Sequence, residues 1–137
     1  MSEIKKNRLQ RISITIHLIS LPALVCTIMT GDQLGSWFQI VAGTFLGLWM
    51  LTFYFSFNRT GLFNFTHTKV KNLDERELEV SRRALRFAYS VFSIVAVLLL
   101  FCIALTSLKV GVLMAAAMLY LAHVLPAVYL GWTGEKR

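Results

Sequence analysis

No aspartate, glutamate, lysine or arginine interrupts four long stretches of this 137-residue chain: Ile12–Thr30, Trp37–Phe57, Phe87–Leu108 and Val110–Trp132. Proton-coupled carriers and ion pathways rely on an ionisable group inside the membrane. The absence argues against that class, including small four-helix exporters built on a carboxylate in the first helix. Cysteine is scarce too. Cys26 and Cys102 lie in different stretches and form no C-x-x-C pair. Thiol reactivity needs an exposed, electropositive setting, so both read as small apolar residues in lipid or helix packing. Proline occurs only at Pro22 and Pro126, each expected to bend its helix locally. No complete catalytic, nucleotide-binding or metal signature is present, which points to a non-enzymatic protein with no cofactor.

What the chain does have is apolar length. Each stretch is close to the twenty or so residues a helix needs to cross the hydrocarbon core. The expected fold is all-α: one integral membrane domain, residues 1–137, with four transmembrane helices. The net charge of +7 is high enough to suggest nucleic acid, but the positions of the charges argue against such a partner. Lys5, Lys6, Arg8 and Arg11 precede the first span. Arg59, Lys69, Lys71, Arg76, Arg82, Arg83 and Arg86 lie between the second and third, and Lys136 and Arg137 follow the fourth. Of the 14 basic residues only Lys109 falls on the other side. Basic residues stay cytoplasmic during insertion. Both termini and the loop 58–86 are therefore expected in the cytoplasm, with the chain multi-pass in the inner (plasma) membrane and lipids as its first partners.

Short connections force neighbouring helices to run antiparallel. Gly31–Ser36 joins the first two spans and Ser107–Gly111 the last two, so the layout is two helical hairpins, Ile12–Phe57 and Phe87–Trp132. Met1–Arg11 reads as a short cytoplasmic tail. In the loop, Phe63 and Phe65 alternate with polar residues, as in an extended or interfacial segment. Asp74 is a good N-cap, and Glu77 three residues on completes a capping box. Acids come early (Asp74, Glu75, Glu77, Glu79) and bases late (Arg82, Arg83, Arg86), the order a helix dipole favours. Glu79 and Arg83 are spaced for an i,i+4 pair. With no breaker, one helix is expected from about Glu75 to about Leu108, extending the third span into the cytoplasm.

The run Asn72-Leu73-Asp74-Glu75-Arg76-Glu77-Leu78, followed by Ala84, Ala88 and Tyr89, resembles a Leu-Asp-Glu-Arg-Glu element of small four-helix bacterial and archaeal membrane proteins of unknown function. There the element lies in the cytoplasmic loop before the third helix. The resemblance covers Leu73–Tyr89 and implies the same layout, not a chemistry. It makes Asp74, Glu75, Arg76 and Glu77 a candidate docking element for a partner or a second subunit. The plainer reading is a solvated, self-capped helix start. Arg82, Arg83 and Arg86 could hold anionic head groups, each worth about 1 kcal/mol near the surface, or simply signal the orientation of the third helix.

Two histidines lie within spans. His17 and His123 both fall in the cytoplasmic half of the bilayer, so a bis-histidine haem or metal pair is geometrically allowed. The bland alternative is a hydrogen bond to a carbonyl or to a hydroxyl such as Ser13 or Ser20. His67, in the loop, has no partner visible in the sequence. Small residues four apart let helices approach closely: Gly43 and Gly47, Gly111 and Ala115, Ala84 and Ala88. They suit packing within the chain or a homo-oligomer or larger complex. The expected function is that of an accessory, regulatory or assembly factor, working through the cytoplasmic loop and helix contacts. The alternatives are an oligomeric channel or transporter and a bis-histidine haem-binding electron carrier.

Overall fold

The computed structural model describes residues 3–31, 35–69, 73–106 and 111–135. They form helices and short connections, with no strand among the described residues. The long helices are α1 (Glu3–Met29), α2 (Phe38–Phe53), α4 (Glu75–Thr106) and α5 (Val112–Thr133). A 3-10 turn, Gly35–Trp37, leads into α2, a π-turn, Tyr54–Asn58, extends it, and a short α3 (Leu62–Thr66) follows. Four segments are long and apolar enough to cross a membrane: Asn7–Met29, Gly35–Asn58, Glu75–Leu105 and Val112–Thr133.

Local chemistry explains most boundaries and two departures from expectation. The presumed tail before Ile12 is helical from Glu3, because Glu3–Gln10 contains good helix formers and no glycine or proline. The loop around Phe63 and Phe65 is not extended. Leu62 and Phe65, three residues apart, are both buried, a helical rather than an alternating pattern, and they form α3. The last long helix is described from Val112, after Gly111, and Val110 lies outside the described residues. Gly111 has extended backbone, and its carbonyl accepts the first N–H groups of α5, from Met114 and Ala115. It therefore caps the helix.

At the start of α4 the Glu77 amide donates to Asp74 Oδ1 at 2.6 Å, and the Asp74 amide donates to Glu77 Oε2 at 3.3 Å. Both partners of the capping box are thus in place. The other end of α5 closes on Gly134, whose φ of +75° suits glycine and whose amide donates to the Leu130 carbonyl at 3.0 Å. Within the spans, hydroxyls turn back to their own helix: Thr15 to the Arg11 carbonyl, Thr27 to Ala23, Thr44 to Ile40, Ser93 to Tyr89. That bond satisfies a polar group where lipid offers none.

The chain divides into two compact units, Met1–Leu62 and Phe63–Arg137. In the first, α1 packs along α2 and its π-turn. In the second, α4 packs along α5. Most of the connection around Ser107–Gly111 with Lys109, together with Asp32, Lys71, Asn72, Lys136, Arg137 and the Leu108 helix end, lies outside the described residues.

Candidate functional site

In the first unit the polar residues are at the helix contact. His17 is 1% exposed, and Ser20, Thr27, Thr52 and Ser56 are buried as well. His17 Nδ1 stands 3.0 Å from Thr52 Oγ1. The Thr52 hydroxyl lies within reach of its own helix carbonyls, Leu48 at 2.8 Å and Trp49 at 3.0 Å, and donates there. Its oxygen is thus left to accept the Nδ1–H of His17. One helical turn away, Ser56 donates to Ser13 at 2.7 Å. Ser13 and His17 are four apart on α1, and Thr52 and Ser56 are four apart on the facing helix. The two rungs therefore share one antiparallel register.

Aromatic rings enclose the imidazole. Trp49 lies nearly parallel at 5.7 Å between centroids, Phe53 is tilted at 5.9 Å, and Phe57 presents an edge at 5.2 Å. The π-turn contributes to this shell. It closes through the Arg59 amide and the Tyr54 carbonyl, a five-residue separation, and adjoining residues Ser56 and Phe57 are both fully buried. Such wide turns recur where a side chain must be re-aimed. The hydroxyl that His17 meets is Thr52 across the contact. Ser13 is taken by Ser56, and Ser20 donates to the carbonyl of His17 itself. A sequence-level signal for Thr52 existed: its offset from Ser56 matches that of His17 from Ser13.

The second unit holds the other two histidines, and here the sequence reading needs correction. His67 has a partner, and it is His123. The two rings are parallel within 6° with centroids 6.3 Å apart. His67 Nδ1 lies 2.8 Å from the Phe63 carbonyl, and His123 Nδ1 lies 2.8 Å from the Leu119 carbonyl. Phe63 packs on His67 at 4.2 Å between centroids. No group of three or more His, Cys, Asp or Glu side chains suited to a metal occurs among the described residues.

The charged segment largely satisfies itself. Asp74 and Glu77 cap one another, Glu79 pairs with Arg83 at 3.3 Å, and Arg83 reaches Glu135 at 3.5 Å. Glu75, Arg76, Arg82 and Arg86 are exposed. Of the small-residue motifs, Ala84 and Ala88 are buried in the second unit, whereas a Cβ added at Gly43 or Gly47 would meet nothing within 4 Å. Ala115 is exposed. Cys26 and Cys102 also face outward from their helices.

No family model matches this sequence, and neither curated proteins nor solved structures give a significant match.

Proposed function

We propose that the protein is a non-enzymatic, multi-pass component of the inner (plasma) membrane, acting as an accessory, regulatory or assembly factor. In this reading both termini and the loop 58–86 are cytoplasmic, a topology supported by the basic residues that flank the spans on that side. The loop and the uncovered helix faces make its contacts. The observation that carries this reading is the open Gly43–Gly47 face of α2, where added Cβ atoms would meet no neighbour. Without a hydrophobic driving force between helices in lipid, close backbone approach at small residues is a main source of association. A second copy of the chain, or a helix of a larger complex, is the fitting occupant. In the second unit the exposed Glu75 and Arg76, beside the self-capped Asp74 and Glu77, are a separate candidate docking element for a cytoplasmic partner. Residues 75–86 amount to roughly 18 Å of helix before the uncharged stretch that begins at Phe87. Arg82, Arg83 and Arg86 sit at its base, where anionic head groups lie.

The test is mass in mild detergent. Gly43→Leu and Gly47→Leu should convert an oligomer to the monomer. If both variants keep the wild-type mass, the assembly reading fails. Orientation has its own check. In a background lacking Cys26 and Cys102, Asp32→Cys should label from outside the cell and Thr68→Cys should not. Equal labelling from outside would remove the topology on which the proposal stands.

A further inference from the structure

We propose that the end of the first unit where α1 begins and the π-turn finishes binds the head group of an anionic phospholipid through Arg8, Arg11 and Arg59. In sequence this end is strongly basic. Lys5, Lys6, Arg8, Arg11 and Arg59 flank it, against one acid, Glu3. Folding brings its two chain segments together. α1 packs on the π-turn as well as on α2, and the Ser13–Ser56 bond joins the helices just inside this end. Arg59 follows the π-turn directly, and its amide donates to the Tyr54 carbonyl. It therefore emerges beside the opening turns of α1, which carry Arg8 and Arg11. All three arginines are exposed. Among the described residues both ion pairs belong to Arg83, and neither involves these three. Like charges gathered at one end repel one another, and an anion among them relieves this.

Depth selects the anion. Arg11 directly precedes the uncharged stretch that begins at Ile12, and Arg8 comes shortly before it. Arg59 follows closely on Phe57, where the second uncharged stretch ends. All three thus stand within about one helical turn, roughly 6 Å, of the apolar edge. The head-group region adds roughly 5–8 Å to each side of the hydrocarbon, so this is the layer of the lipid phosphates. Arginine reaches it while its stem lies along apolar surface. A soluble polyanion would have to displace head groups to enter. The aromatic surroundings fit the same layer. The Arg59 guanidinium stands 6.0 Å from the centroid of the exposed Phe55 ring, the range of a cation–π contact. Exposed Tyr54 meets Phe55 edge-on at 5.5 Å, and tyrosine gathers at head-group level. Guanidinium suits the ligand, because its fork donates two parallel N–H bonds to one phosphate. A zwitterionic lipid brings an ammonium that offsets its phosphate, so three arginines favour the anionic one. The site needs the two spans, but neither the Gly43–Gly47 contact nor a particular side of the membrane.

Native mass spectrometry of the purified full-length protein tests the site. The protein is released from micelles holding equal amounts of phosphatidylglycerol and phosphatidylcholine with the same acyl chains. An Arg82→Gln, Arg83→Gln, Arg86→Gln background removes the basic cluster of the second unit from the comparison. This background should still retain phosphatidylglycerol over phosphatidylcholine. Adding Arg8→Gln, Arg11→Gln or Arg59→Gln should weaken the preference about five-fold each, and all three together about a hundred-fold. Circular dichroism checks the helices, and where the combined variant loses them, Arg59→Gln alone carries the test. Equal retention of the two lipids by the background protein would overturn the proposal, as would an unchanged preference in Arg59→Gln or in the folded combined variant. Displacement of the retained lipid by excess inorganic phosphate would assign the cluster to a free anion and overturn it too.

Discussion

Where α1 meets α2, the buried side chains are Ile14, His17, Ser20 and Thr27 on one side and Thr52, Ser56 and Phe57 on the other. On α4 and α5 of the second unit they are Ala84 and Ala88 with Val124, Leu125, Ala127, Val128 and Leu130. The first contact is polar and aromatic, the second small and aliphatic. In lipid the difference matters, because apolar burial between helices gains little over contact with acyl chains. Polar rungs fix register: sliding α1 by one turn would break both the His17–Thr52 and the Ser13–Ser56 bonds. An aliphatic contact has no such marker and must rely on shape. The second unit compensates at its edge, where Phe87 meets Tyr129 at 5.1 Å and Arg83 reaches Glu135.

The sharpest way to break this contrast is to empty the polar contact. His17→Ala removes an enclosed ring and leaves Thr52 Oγ1 without its donor. Large-to-small changes at buried sites cost about 2–5 kcal/mol, and about 0.6 kcal/mol more is typical of a lost membrane hydrogen bond. Reversible unfolding in mixed micelles should show the loss. A cost below 1 kcal/mol would mean that the aromatic shell does not depend on the ring. His17→Phe refines the comparison, since it fills the space but cannot donate. If it recovers most of the stability, packing and not polarity holds the first unit together.

The second unit should fail by the opposite change. Ala88 is 6% exposed and Ala84 1% exposed at the α4–α5 contact. Ala88→Leu inserts atoms where the backbones approach, and overpacking of this kind costs about 1–3 kcal/mol. The equivalent enlargement at exposed Ala115 should cost little. Equal effects at the two positions would show that α4 and α5 are not held by close approach at Ala88.

At the start of α4, Asp74→Ala removes the acceptor for the Glu77 amide and should cost about 0.5–2 kcal/mol. The loss should be local, seen as faster hydrogen exchange over residues 75–79, with the spans unaffected. This cap was legible in the sequence because its residues are adjacent and their roles follow from spacing alone. The four long helices were legible for a similar reason, since an uncharged run of twenty residues has few other solutions. What escaped reading depended on distant residues meeting. His67 found His123 only because α3 turns the loop back onto α5, and nothing between Asn58 and Asn72 announces that turn beyond the spacing of Leu62 and Phe65. The π-turn was equally hidden, as its sequence, Tyr54–Asn58, reads as ordinary helix. The hydroxyl beside His17 is likewise a distant one, Thr52 across the contact and not Ser13 or Ser20 on its own helix.

The smallest effect is also the most diagnostic. Ser13 and Ser56 form the second rung of the polar contact, 2.7 Å apart. Arg83 and Glu135 form the ion pair at the edge of the second unit, 3.5 Å apart, with side chains 51% and 32% exposed. A double-mutant cycle to alanine on each pair measures its coupling directly. The serine pair should couple by about 0.6 kcal/mol, the mean for hydrogen bonds between membrane helices, and the value should not respond to salt. The ion pair should couple by about 0.2–1 kcal/mol and weaken as salt screens it. Similar magnitudes with opposite salt responses would fit a buried register mark in one unit and a solvated edge contact in the other. A serine coupling near zero would mean that His17 and Thr52 set the register without a second rung.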